Sequence, residues 1–135
     1  NDDYSSKNGG FGDQMAWLEA DLRQAAAERH IRPWIVVSGH RPVYSIGCFD
    51  SATGQPSGSC GHLQTAVERM FYEYGVDLYL CGHQHSYERQ LPVYNATHVS
   101  PNYHASNYTA YVVQGAAGNV EGHTHYGSAR PAWNV

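Results

Sequence analysis

The sequence has no basic surplus. Of 135 residues, 8 are Lys or Arg and 12 are Asp or Glu, a formal charge of −4 with histidine neutral. A chain that neutralises a run of phosphates needs the opposite balance, so a nucleic-acid partner is excluded. Long hydrophobic runs are also missing. The longest clean one, Trp34 to Val37, has four residues, against the ~20 that a membrane span requires. No signal-peptide pattern is present. Large aliphatic residues are scarce: Leu, Ile, Val and Phe together make 23 of 135. So poor a composition indicates disorder only when net charge is also high. Here charged residues are 15 %, and 11 Tyr and 3 Trp add aromatic surface. The chain reads as folded but core-poor, as half of a larger domain would be. It opens Asn1-Asp2-Asp3-Tyr4 without a methionine, as expected of a piece of a longer product.

What is abundant is histidine, nine residues in all. Cysteine is odd in number: Cys48, Cys60 and Cys81. Two N-x-T triplets, at Asn95 and Asn107, fall within thirteen residues of each other. Beside a possible cysteine pair they point to the secretory pathway, with a destination outside the cell, in a cell wall or in a vacuole.

Along the chain, residues 1–12 are polar and glycine-rich, a loop. Asp13 is placed to cap a helix carried by Met15, Leu18, Leu22, Ala25 and Ala26, fading near Arg29 or His30 before Pro33. Trp34 to Ser38, bounded by Gly39, predicts a short buried strand. Residues 45–60 read as a loop. Leu63, Val67, Met70, Phe71 and Tyr74 predict a second helix ended by Gly75. Val76 to Cys81 predicts a second strand, Gln90 to Tyr94 a third and Tyr108 to Gln114 a fourth. The tail from Gly118 is loop-like. Helices alternating with strands predict an α/β layer architecture.

Three histidines share one kind of place. His40 follows the first strand, and His83 and His85 follow the second. In open α/β sheets ligand sites gather outside the carboxyl ends of strands, so parallel neighbours would bring the three imidazoles to one crevice. In extended backbone the members of His83-x-His85 lie ~6.5–7 Å apart on one side, and Gly82 lets the chain turn. Two such rings can hold one metal, or one each of two metals ~3.5–4 Å apart. Imidazole suits iron, zinc, copper and nickel. A second pair, His123-x-His125, lies in the glycine-rich tail with no strand before it and is read as a chance pair. His30, His98 and His104 read as solvated.

Gly82-His83-Gln84-His85-Ser86-Tyr87-Glu88-Arg89 resembles the Gly-His-x-His-x-Tyr-Glu-Arg segment of purple acid phosphatases, members of the calcineurin-like metallophosphoesterases. Gly39-His40-Arg41-Pro42-Val43-Tyr44 is similar to the family's upstream His-x-Pro-x-Tyr segment. Gln14 to Leu22 resembles the helix before it, and Gly115 to Gly122 the late glycine-rich turn. The resemblance implies an α/β sandwich of layered sheets flanked by helices, with residues 1–135 as the C-terminal half of the catalytic domain. It implies hydrolysis of phosphate monoesters at acid pH by an iron(III) ion paired with zinc, ferrous iron or manganese. His40 and His83 would bind the divalent ion and His85 the iron, with Tyr87, Glu88 and Arg89 as supports behind them.

The departure from the family is large. Four of its seven ligands come from an N-terminal half, in Asp-x-Gly, Gly-Asp-x-x-Tyr and Gly-Asn-His-Glu motifs that are absent here. Gly12-Asp13-Gln14-Met15-Ala16 mimics the second with Ala16 where tyrosine belongs. Gly118-Asn119-Val120-Glu121 mimics the third with Val120 in place of histidine. Neither is accepted as a ligand motif. Three neutral imidazoles cannot balance two highly charged cations, so the expected partners are a phosphate monoester and the N-terminal half of the same protein, and the chain alone should be inactive.

Cys48 and Cys60 flank the loop. A bridge would close about thirteen residues and be worth about 3 kcal/mol; the alternative is two free thiols. Cys81 reads as a small buried hydrophobe. His62, at the start of the second helix, is a candidate proton donor to the leaving group; otherwise it is surface. Two further readings of the whole stay open: a structural or interaction glycoprotein that keeps the fold without the metals, and a mononuclear zinc protein with three histidines and a water.

Overall fold

The computed structural model describes residues 13–104 and 106–135. The opening stretch read as a loop, residues 1–12, lies outside them. Two helices and six strands follow in the order α1 (Gln14–Ala27), β1 (Val36–Ser38), α2 (Gly58–Tyr74), β2 (Leu78–Cys81), β3 (Tyr87–Gln90), β4 (Val93–Tyr94), β5 (His98–Val99) and β6 (Ala110–Gln114). The main sheet has the order β1-β2-β6-β3, and β4 and β5 form a small hairpin. β1, β2 and β6 are parallel and β3 is antiparallel to β6. The chain is therefore mixed α/β.

Local chemistry accounts for the helix ends. Asp13 Oδ1 accepts hydrogen bonds from the Met15 and Ala16 amides at 3.1 and 3.0 Å, which satisfies two of the donors that a helix start leaves open. α2 ends at Gly75 in the left-handed conformation, φ 68°, where a side chain would be strained. α2 begins at Gly58, five residues before the apolar pattern. Gly58-Ser59-Cys60-Gly61 are poor helix formers and hide its first turn. Cys60 is fully buried there and bridged to Cys48 across a Cα–Cα distance of 5.9 Å.

Two strand expectations need correction. The Trp34–Ser38 run is not a buried strand: β1 covers only Val36–Ser38 and is a sheet edge among the described residues. Ile35 is buried, but Trp34 is 74 % and Val36 53 % exposed. The run is apolar because both faces are apolar, and only one is covered here. The third strand is not Gln90 to Tyr94. Pro92 cannot donate to a ladder, and the chain breaks there into β3 before it and β4 after it.

The core joins Leu22 of α1, Leu63, Val67 and Phe71 of α2, and Tyr79, Tyr111 and Val113 of the sheet. Trp133, from the tail, is completely buried. Its ring meets Tyr44 edge-on at 5.0 Å, and its Nε1 donates to the Gly54 carbonyl at 2.8 Å. Cys81 is buried and free, and burial pushes its thiol up to about 12.

Glu68 is the most unusual core residue, at 7 % exposure. Its carboxylate accepts from the Tyr44 hydroxyl and from the Asn95 amide, the latter at 2.9 Å. Tyr44 in turn accepts from the Ala96 amide at 2.9 Å. The two carboxyl-bound groups thus pin a turn in which Asn95 and Ala96 both have positive φ, 51° and 54°. Burial raises the Glu68 carboxyl above its ordinary range, although its donors pull the other way. A carboxyl raised in the folded state holds its proton more tightly folded than unfolded. The contribution is therefore full below the unfolded value of about 4.3 and is lost as pH rises through the folded value. Denaturant unfolding across pH should show wild-type stability declining upward from about pH 4, with a shallower decline in Glu68→Gln. Equal slopes would contradict this assignment.

Candidate metal centre

The carboxyl ends of β1 and β2 lie side by side, with Ser38 registered against Leu80. Their exits carry His40 and His83 into contact. His83 Nδ1 lies 3.2 Å from His40 Nε2, and the rings meet at 74°. Two nitrogens each 2.0–2.1 Å from one tetrahedral ion would be about 3.3 Å apart. The spacing and the donor type therefore fit two ligands of a single cation.

The turn that presents His83 is not where the sequence suggested. His83 itself adopts the left-handed conformation, φ 65°, and Gly82 has no positive φ. The segment folds tightly, with the Gln84 amide on the Gly82 carbonyl and the Ser86 amide on the Gln84 carbonyl, both at 2.8 Å. His83-x-His85 is thus not extended. His85 Nε2 lies 3.5 Å from the Glu121 carboxylate instead. Among the described residues no three His, Cys, Asp or Glu side chains converge as a metal-binding group. Gly115, after β6, packs so closely that a Cβ there would run into the Gln84 carbonyl, so the backbone behind the histidines allows nothing larger.

A non-glycine residue in this conformation costs of order 1–3 kcal/mol and persists where the surroundings enforce it. The segment after His83 is anchored by Glu88, 3 % exposed. Its carboxylate accepts from the hydroxyls of Ser45 at 2.8 Å, Ser86 at 3.2 Å and Tyr126 at 2.8 Å. It also accepts from the Ile46 amide at 2.8 Å and the Gln90 side chain at 3.0 Å. Tyr87 and Arg89 alternate with it along β3 and are exposed; Arg89 lies over the Tyr103 ring at 5.3 Å. Of the three supports suggested by the motif, Glu88 is the one turned inward behind the histidine segment.

Several contacting residues carried no sequence signal. Thr124 Oγ1 accepts from the His85 amide at 2.8 Å. Tyr126 bonds both Ser86, at 2.6 Å, and Glu88, and burial, with the Glu88 carboxylate beside it, pushes its hydroxyl up to about 12. These residues and Glu121 lie in a glycine-rich tail without periodicity, and only the tertiary fold brings them to the site. Arg41 Nη1 lies 2.9 Å from His83 Nε2. His62 is exposed in the second turn of α2, and His123 and His125 are exposed. A groove of about 920 Å³ runs from Trp17, Leu18, Trp34 and Val36 to His40 and Arg41.

Residues 2–87 match the calcineurin-like phosphoesterase family. Acid phosphatase A of Cryphonectria parasitica is 42 % identical over 119 residues, covering 87 % of this chain and 21 % of that protein. Acid phosphatase type 7 of Homo sapiens is 48 % identical over 87 residues, covering 61 % of this chain and 20 % of that protein. The chain thus spans about a fifth of the length of these relatives. Purple acid phosphatase PPD1 from yellow lupin seeds shares the fold, with a TM-score of 0.71 at 23 % identity over 95 % of this chain and 22 % of that one.

The strain at His83 has a measurable consequence. Glycine tolerates the left-handed region and alanine does not. His83→Gly should therefore be more stable than His83→Ala by about 1 kcal/mol, the reverse of their order in an ordinary helix or strand. Urea unfolding of the two variants measures it, and an alanine variant equal or superior in stability would contradict the backbone assignment.

Proposed function

The chain belongs to the calcineurin-like phosphoesterase family, and from that premise we propose that the intact protein hydrolyses phosphate monoesters at acid pH at a dinuclear metal centre. His40 and His83 hold the divalent ion (zinc, ferrous iron or manganese) and His85 contributes to the iron(III). The observation that carries this reading is the 3.2 Å approach of His40 Nε2 to His83 Nδ1. Bound metal would supply Lewis acidity toward the phosphate and an activated water. The chain's own part is positional. The strand ends deliver the two imidazoles, the left-handed backbone at His83 aims its Nδ1 at His40, and Glu88 holds the loops behind them.

Neutral imidazoles alone do not balance the charge of two cations. The missing carboxylate and phenolate ligands are proposed to come from an N-terminal half of the same protein, so that residues 1–135 form the C-terminal half of the catalytic domain. The uncovered edge of β1, with Trp34 and Val36 exposed beside it, and the share of the relatives' length that the chain spans support that completion. His62 remains the candidate proton donor to the leaving group.

Passage through the secretory pathway is supported by the Cys48–Cys60 bridge, which persists in oxidising compartments, and by exposure of Asn95 and Asn107, the proposed glycan carriers. No helix among the described residues is long and apolar enough to cross a membrane.

Steady-state hydrolysis of p-nitrophenyl phosphate tests the reading. The isolated chain should be inactive and the intact protein active at acid pH. His83→Ala and His85→Ala should each cost more than the about 10–100-fold that losing a supporting residue costs, whereas His125→Ala should change nothing. An intact protein that is metal-free and inactive would overturn the enzyme reading in favour of a structural glycoprotein.

A further inference from the structure

We propose that the N-acetylglucosamine carried by Asn95 lies against a surface cluster of aromatic rings, Tyr72, Tyr94, His98 and Tyr108, and that this contact holds the β4–β5 hairpin. The inference rests on the glycan reading above and adds the surface on which the sugar is seated. The rings come from separate places in the chain: Tyr72 from the last turn of α2, Tyr94 from β4, His98 from β5 and Tyr108 from the segment before β6. Tyr72 and Tyr94 are stacked, 4.5 Å apart at 30°. Tyr108 lies nearly parallel to Tyr94, at 6.4 Å and 16°. His98 adjoins Tyr94 at 6.1 Å and Tyr108 at 6.3 Å. Tyr72 is 44 % exposed, Tyr94 and Tyr108 are half-buried, and His98 is exposed.

Rings gathered at a surface mark a contact, and charge narrows its kind. On α2 beside the cluster, Arg69 Nε donates to Glu73 Oε1 at 2.7 Å. These two charges satisfy each other, so the face offers π surface and hydroxyls to a neutral partner. A pyranose meets that description. One face of a β-linked N-acetylglucosamine carries axial C–H bonds rather than hydroxyls, and slightly positive hydrogens suit the negative face of an aromatic ring. The two N-x-T triplets bring that sugar to the rings, since Asn95 directly follows Tyr94 and Asn107 directly precedes Tyr108.

Of the two, Asn95 has the fixed root. Its amide donates to Glu68 Oε1 at 2.9 Å, and its carbonyl accepts from Gln55 Nε2 at 3.2 Å. Its left-handed backbone, φ 51°, is one that asparagine adopts more readily than most residues. Tyr94 and His98 are paired across the hairpin, so their side chains share one face of it, and exposed Asn95 opens the turn between them. A sugar on a root already held at both backbone groups gives up little further freedom when it settles on the neighbouring rings.

The test uses the intact protein made in a secretory host, with occupancy of Asn95 read by mass spectrometry and amide hydrogen exchange read over residues 93–99. Thr97→Ala abolishes the triplet and leaves Asn95 in place. In the wild-type background it should speed exchange in the hairpin about 2- to 10-fold, the scale of one aromatic contact. In Tyr72→Ala the same substitution should lose most of that effect, and in Tyr72→Phe, which keeps the ring, it should act as in wild type. The Thr97 contact with His98 at 3.2 Å is lost in every background and cancels in the comparison. Asn107→Gln should leave the hairpin rates unchanged. Equal acceleration with and without the Tyr72 ring, acceleration by Asn107→Gln, or no acceleration by Thr97→Ala in wild type would each overturn the inference. The last result would assign the rings to another surface of the protein or to a second copy. An Asn95 without glycan would overturn the glycan reading itself, and this inference with it.

Discussion

The Glu88 carboxylate is the contact on which the arrangement of the site depends. Its five donors come from the loop after β1, the histidine segment, β3 itself and the tail. No two of these are joined by a regular ladder except β3 with its own strand partners. A buried carboxylate is costly unless its lone pairs are taken, and taking them requires all four segments to be in place at once. The strained turn at His83 lies between β2 and this anchor. Removing one partner of such a buried network leaves a polar group unsatisfied, at a cost of about 1–3 kcal/mol.

The same economy runs through the Glu68 network on the other side of the core. There a second buried carboxylate, with Tyr44, pins a turn whose Asn95 and Ala96 are in the left-handed region. Burial raises that carboxyl, so the turn is held best when the surroundings are acidic.

Much of this was legible in the residues. Asp13, Gly75 and the apolar runs before Gly39 and Gly82 announce their elements because each carries its own local physics: a cap, a left-handed terminus, a strand end. The placement of histidines at parallel strand ends followed from those boundaries. What failed depended on distant parts of the chain. β1 looked buried because its residues are apolar on both faces, and sequence does not say which face is covered. The first turn of α2 was hidden by weak helix formers that a disulfide and tertiary packing hold in place. The left-handed residue was expected at a glycine and falls on His83. Glu121, Thr124 and Tyr126 approach the site only through the path of an irregular tail.

The central claim is that His40 and His83 share one cation, and the most direct measurement locates that cation. Diffraction from crystals of the intact protein, collected on both sides of the zinc absorption edge after zinc loading, gives the ion's position without reference to activity. The account predicts an anomalous peak between His40 Nε2 and His83 Nδ1, about 2.0–2.1 Å from each. Zinc bound elsewhere, with the two nitrogens still facing one another across a hydrogen bond, would contradict it.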